Sequence, residues 1–193
     1  MKTAVFSFLL LVLLLLGCNE TPIQPEASQE PVVPVVPIDS TYELIQMPAR
    51  PPGGPSITKT ETIDGSKGGH VKFKENYITV DGDTVVVDVH LHAHKNSFSG
   101  IVDITVTVDD VYAAVKLTPP MIFNTHVDLD LKYKGLDPAQ LNLPSGEYEF
   151  IYVDDEGNTE TVPSHGVKIN AEIGEISVKH AKLSHFSRYV FIR

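Results

Sequence analysis

Thr84-Val-Val-Val-Asp-Val-His-Leu-His-Ala93 puts Val85, Val87, Val89, Leu91 and Ala93 on one face and polar side chains on most of the other. Successive side chains of an extended strand point to opposite sides, so this period of two marks a strand with one face buried and one facing water. The same alternation recurs downstream. Val102, Ile104, Val106 and Val108 share a face opposite Asp103 and Thr105, and Val127, Leu129, Leu131 and Tyr133 share one opposite Asp128, Asp130 and Lys132. Half-buried alternation of this kind belongs to antiparallel sheets.

Turn formers separate these runs. Asp64-Gly65, Asp81-Gly82, Asn96 to Gly100, Pro119-Pro120, Pro144-Ser145-Gly146 and Glu156-Gly157-Asn158 are each suited to reversing the chain; the last lies between Tyr148–Val153 and Thr159–Val162. Helical periodicity is nearly absent. Many short strands at this spacing predict an all-β fold, a single antiparallel β-sandwich over residues 56–193, long enough to enclose a hydrophobic core. Asp154 to Asn158 reads as a hairpin tip, because the alternating acidic pattern and distal Glu of a calcium loop are missing. Pro119-Pro120 is expected to end one strand and let Phe123 enter the core before the next strand begins at Val127.

The segment before the sandwich differs in kind. Residues 19–55 hold nine of the fourteen prolines, including Pro31-Val-Val-Pro34-Val-Val-Pro37 and Pro51-Pro52-Gly53-Gly54-Pro55. Proline spacing favours extended polyproline II and removes backbone donors, so residues 18–55 are expected to be a flexible linker. Upstream, Lys2 precedes an apolar run from Ala4 to Leu16, shorter than the roughly 20 residues of a spanning helix, and residues 1–17 read as a signal peptide. Leu14-Leu15-Leu16-Gly17-Cys18 closes it, and Cys18 is the only cysteine of the chain. This resembles the lipobox of bacterial lipoproteins, which implies acylation of Cys18, with palmitate among the chains, and attachment to a membrane of the cell envelope. Asn19 is not the Asp that retains enteric lipoproteins at the inner membrane, so the outer membrane is the expected site in a diderm organism. One cysteine also excludes an intramolecular disulfide and a Cys-rich zinc site.

A formal net charge of −10 opposes contact with nucleic acid, which requires clustered Lys and Arg. It equally opposes binding to anionic lipid through a basic patch. There is no Trp, so any stacking platform for a sugar has to come from Tyr and Phe.

Several stretches carry a family resemblance. Leu117-Thr-Pro-Pro-Met-Ile-Phe123, Val127-Asp-Leu-Asp-Leu-Lys-Tyr133, Gly135-Leu-Asp137, Phe150-Ile-Tyr-Val-Asp-Asp-Glu-Gly157 and Leu183-Ser-His-Phe-Ser-Arg-Tyr189 resemble the ZU-type β-sandwich modules of zonula occludens, netrin-receptor and ankyrin proteins. Gly68-Gly69-His70-Val71 is placed like the family's opening strand. The usual Ile-Pro-Pro-Gly-Ala element is absent, and Ser97-Phe-Ser-Gly100 stands roughly in its place. The resemblance implies a non-enzymatic module for adhesion, envelope structure or contact with a protein or surface polymer, needing no cofactor.

Two groups of residues have chemical potential. In some relatives of this architecture a His-Phe-Ser tripeptide cuts its own chain, so the resemblance draws attention to His185-Phe186-Ser187. There His185 would take the proton of Ser187, whose Oγ would attack the Phe186 carbonyl. Self-cleavage needs backbone strain, and the plainer expectation is a packed final strand with Phe186 turned into the core and His185 hydrogen-bonded. His90, His92 and His94 are spaced by two, with Asp88 before them, and project from one face. They are candidate ligands for Zn²⁺ or Cu²⁺, with Asp88 or His126 to complete the set, and a metal-binding or carbohydrate-binding lipoprotein is an alternative reading of the chain. Same-face neighbours on one strand stand about 7 Å apart, so two imidazoles can share an ion more readily than three. No nucleophile elbow, phosphate loop or His-Glu-x-x-His motif is present, and His165 and His180 have no motif around them.

Overall fold

The computed structural model describes residues 42–154 and 156–193. Cys18, the signal peptide and the linker as far as residue 41 lie outside the described residues. The chain from Tyr42 onward is all-β, with eleven strands in two antiparallel sheets. They are β1 (Thr58–Asp64), β2 (Gly69–Ile78), β3 (Thr84–Ala93), β4 (Ile101–Val108), β5 (Ala114–Thr118), β6 (Ile122–Lys134), β7 (Glu149–Val153), β8 (Thr159–Thr161), β9 (Val167–Asn170), β10 (Glu175–His185) and β11 (Arg188–Ile192). One sheet runs β1-β4-β5-β11-β7-β8 and the other β2-β3-β6-β10-β9. The alternating runs read from the sequence lie in β3, β4 and β6, and β3 has the expected limits, Thr84 and Ala93. The hairpin tip at Asp154 to Asn158 joins β7 to β8, and the Asp154 carboxylate accepts backbone hydrogens from Glu156 and Asn158.

The two sheets enclose one main core. Val85, Val87, Val89 and Leu91 of β3 lie in it with Val127, Leu129 and Leu131 of β6, and Ile104, Val106, Leu117 and Phe191 reach it from the other sheet. Tyr133 of β6 is fully buried, and its hydroxyl donates to the Ala114 carbonyl of β5 at 2.7 Å. A buried hydroxyl without a partner costs about 1–3 kcal/mol, so this bond fixes how the sheets face each other. Burial pushes the Tyr133 phenol well above its ordinary pKa. Alternate residues of β11 turn away from this core: Val190 and Ile192 form a second cluster with Ala114, Ile151 and Val153, against which Leu44 and Tyr112 pack.

The sandwich includes chain that its prolines assign to the linker. Ile45 is fully buried and Met47 nearly so, both within the main core. Leu44 bridges Ile192 and Gln46 bridges Tyr112, while the Ile45 amide donates to the Phe191 carbonyl and its carbonyl accepts from Ala113. This short extended piece fills the gap between the end of β11 and residues 111–113, which β5 is too short to close. Arg50 then lies over the Tyr77 ring, 4.4 Å from its centroid, and pairs with Asp110 at 2.8 Å, while Tyr77 donates to the Pro48 carbonyl. The expected boundary at residue 55 therefore fails for residues 43–50. Apolar residues between the prolines supply buried surface that composition alone conceals.

Two other expectations change. β6 begins at Ile122 rather than Val127, so Phe123 enters the core as part of the strand. The His185-Phe186-Ser187 run is not inside a final strand: His185 ends β10 and Arg188 begins β11, so Phe186 and Ser187 form the corner where the chain passes from one sheet to the other.

Ile45→Ala is expected to destabilise the full-length chain in detergent by about 2–4 kcal/mol in urea unfolding, the cost of removing a fully buried aliphatic side chain. A linker residue would change stability by no more than about 0.5 kcal/mol.

Candidate functional site

The outward face of the β2-β3-β6 sheet collects most of the chain's histidines. Antiparallel register sets His70 of β2 opposite His92 of β3, and His92 opposite Asp128 of β6. One step along, Lys72, His90 and Asp130 form a second row, and Lys74, Asp88 and Lys132 a third. Directly opposed residues in a sheet lie about 4.5–5.5 Å apart, closer than same-face neighbours on one strand, so clusters assemble across strands more readily than along them.

His90, His92 and His94 accordingly take different partners. His90 turns to β2, where its Nε2 lies 2.9 Å from His70 Nδ1 in a hydrogen bond. His92 stacks on His70, with ring centroids 4.3 Å apart and planes within 16°, and touches the His94 ring at 4.2 Å. His94 Nε2 is hydrogen-bonded to Asp128 Oδ2 at 2.9 Å. His126 approaches from β6, its ring centroid 5.7 Å from that of His94 and its Nε2 3.6 Å from Asp128 Oδ1. One donor atom from each of His92, His94 and Asp128 falls within 4.8 Å of the others. Asp88 lies further along β3 among lysines.

Asp128 is the residue that the sequence pattern passes over as an ordinary outward carboxylate. Its side chain is only 18% exposed, and Oδ1 is buried without a hydrogen-bond partner. His126 Nε2, at 3.6 Å, is beyond hydrogen-bond length. His70 is the other addition; folding the chain back about Asp81-Gly82 would have set it opposite His92. The contact between β3 and β6 has no such local signal, because β4 and β5 of the other sheet intervene.

Crowding imidazoles alters their titration. Partial burial lowers the His70 pKa, and the neighbouring charges of His90, Lys72 and His94 lower it further. His92 is lowered for the same first reason and then by His94 and His70, against an opposing pull from Asp128. Both rings are thus held toward the neutral form, the form that can offer a lone pair to an ion. On the neighbouring β10, His180 takes a left-handed φ of 49° where the strand bulges. Its amide donates to Asp130 Oδ1, and its ring lies 4.6 Å from that of His165.

At the corner between the sheets, the Phe186 ring is buried edge-on against Phe123, 4.6 Å between centroids. Its amide donates to Met121, and the Ser187 carbonyl accepts from Leu117. His185 packs edge-on against Tyr152, its Nε2 faces Glu160 at 3.6 Å, and its carbonyl accepts from the Tyr189 hydroxyl. The base that self-cleavage would use thus faces a carboxylate on β8. Arg188 pairs with Asp109 at 2.9 Å, anchoring the start of β11.

Comparison with family models, curated proteins and solved structures finds no match.

Two measurements follow from this geometry. In an NMR titration His70 and His92 should have pKa values below the ordinary histidine value of about 6.5. Because the unfolded chain then binds more protons than the folded one as pH falls through that value, their contribution to stability is complete above it and is lost on acidification. Intact-mass analysis under denaturing conditions should show Phe186 and Ser187 still joined, with no separate Ser187–Arg193 fragment.

Proposed function

We propose that this chain is a lipid-anchored envelope protein whose acidic β-sandwich is a non-enzymatic module for adhesion, envelope structure or protein contact. The observation that carries this reading is Cys18, the sole cysteine, directly after Leu14-Leu15-Leu16-Gly17 at the end of a short apolar run. Two or more acyl chains on one residue give stable anchoring, since each buried methylene contributes about 0.8 kcal/mol. The proline-rich segment separates this anchor from the sandwich, and the stretch available as spacer ends by residue 42, where the chain joins the fold.

The sandwich suits a contact role. Its outward rows on the β2-β3-β6 sheet carry alternating Lys, His and Asp, and edge strand β1 carries a ladder in which Thr60 meets Thr105 at 2.8 Å and Thr62 donates to Asp103 at 2.6 Å. Such polar faces remain hydrated in the free protein and offer hydrogen bonds and charge to a partner. The likeness of residues 117–189 to ZU-type modules supports the same reading.

Detergent phase partitioning and labelling with a radioactive fatty acid test the anchor. The full-length protein should enter the detergent phase and carry label, and Cys18→Ser should lose both. Cys18→Ser protein that still fractionates with membranes would overturn the proposal.

A further inference from the structure

We propose that His92, His94 and Asp128 form a binding site for one divalent transition-metal ion, with His126 as the fourth ligand. The inference is independent of the lipid anchor and rests on the convergence of β3 and β6.

The donor chemistry is specific. Three imidazole nitrogens and one carboxylate oxygen form a borderline set that suits Zn²⁺ or Cu²⁺; Mg²⁺ and Ca²⁺ prefer oxygen donors alone. His92 and His94 come from one strand, and the register of β3 with β6 places Asp128 directly across from His92. A tetrahedral zinc ion takes its nitrogen and oxygen ligands at about 2.0–2.2 Å, so its donors stand about 3.3 Å apart. Drawing the three donor atoms in from within 4.8 Å requires rotation of side chains that are only partly buried, while the strands remain in register.

The carboxylate supplies a second, independent observation. Asp128 Oδ1 is buried and accepts no hydrogen bond, a state that costs free energy in the absence of a compensating charge. A cation between Asp128 and the three rings removes that cost. Binding also requires no net proton loss from neutral rings: His94 Nε2 gives up its hydrogen bond to Asp128 Oδ2 and presents its lone pair, while its proton moves to Nδ1 through solvent. Next to these ligands, His70 stacks on His92 and is itself held by His90. That pair limits the orientations open to the His92 ring, the role that outer-shell partners have around metal ligands.

The test is zinc titration of the metal-stripped full-length protein in detergent, in competition with a chromophoric chelator. Cys18→Ser is run in parallel so that no thiol can contribute and the result does not depend on lipidation. One zinc ion per chain is expected in both. Asp128→Asn and His94→Gln should each weaken binding at least tenfold with an unchanged circular dichroism spectrum, and His165→Gln should leave it as it was. Zinc should also shift the ring-proton signals of His92, His94 and His126 but not those of His165. Three outcomes would overturn the proposal: no retention at micromolar zinc, binding of many ions without saturation, or a single ion insensitive to Asp128→Asn. An ion lost in His70→Gln but kept in Asp128→Asn would belong to the His70–His90 pair and would equally overturn it.

Discussion

The antiparallel pairing of β3 with β2 on one side and β6 on the other holds the molecule's two faces in place. A slip of one residue would move every side chain of β3 to the opposite face, sending Val85 through Leu91 into water and the histidines into the core. The cost of that exchange fixes the register, and the register fixes everything outside. His92 meets both His70 and Asp128 because Leu91 and Ala93, one residue to either side of it, must point inward. The outward cluster is thus a consequence of core burial.

Closure of the second sheet depends on chain taken from a proline-rich stretch. β11 pairs with β5 only through Arg188–Val190, and the remainder of its edge is taken up by residues 43–46, whose backbone bonds to Phe191 and Arg193 on one side and Ala113 on the other. Arg193 and Glu43 join their side chains across the same seam. From Tyr42, where the described residues begin, the chain is already within one residue of its first backbone pairing with the sheet, Glu43 with Arg193. The corner at Phe186 and Ser187 belongs to the same construction: it carries the chain from the five-stranded to the six-stranded sheet, and Phe186 against Phe123 keeps that passage dry.

The net charge of −10 conceals a local pattern. Across the β2-β3-β6 face, lysines, histidines and aspartates stand in mixed rows, so the surface is neither uniformly acidic nor repulsive to itself. Its charge depends in part on His70 and His92, which partial burial and neighbouring positive charge hold toward the neutral form. A polar face of this kind has few carboxylate–lysine pairs at its centre and a carboxylate, Asp128, whose second oxygen is unpaired.

The sequence by itself determined the all-β class, the limits of β3 and the hairpin between β7 and β8, because period-two alternation and turn residues act over a few neighbouring positions. It also marked His92 and His94 as facing one way. β2 was less visible: only Val71 is fully buried there, and its Lys, Glu and Asn residues are those of a protected edge strand. The role of residues 43–50 was hidden because proline content reports local stiffness, whereas burial of Ile45 depends on β11, nearly 150 positions away. Only the tertiary structure decided which carboxylate joins His92 and His94. The strand carrying Asp128 returns to β3 after two strands of the opposite sheet, and partners so distant in sequence are selected by the fit of the core, not by spacing along the chain.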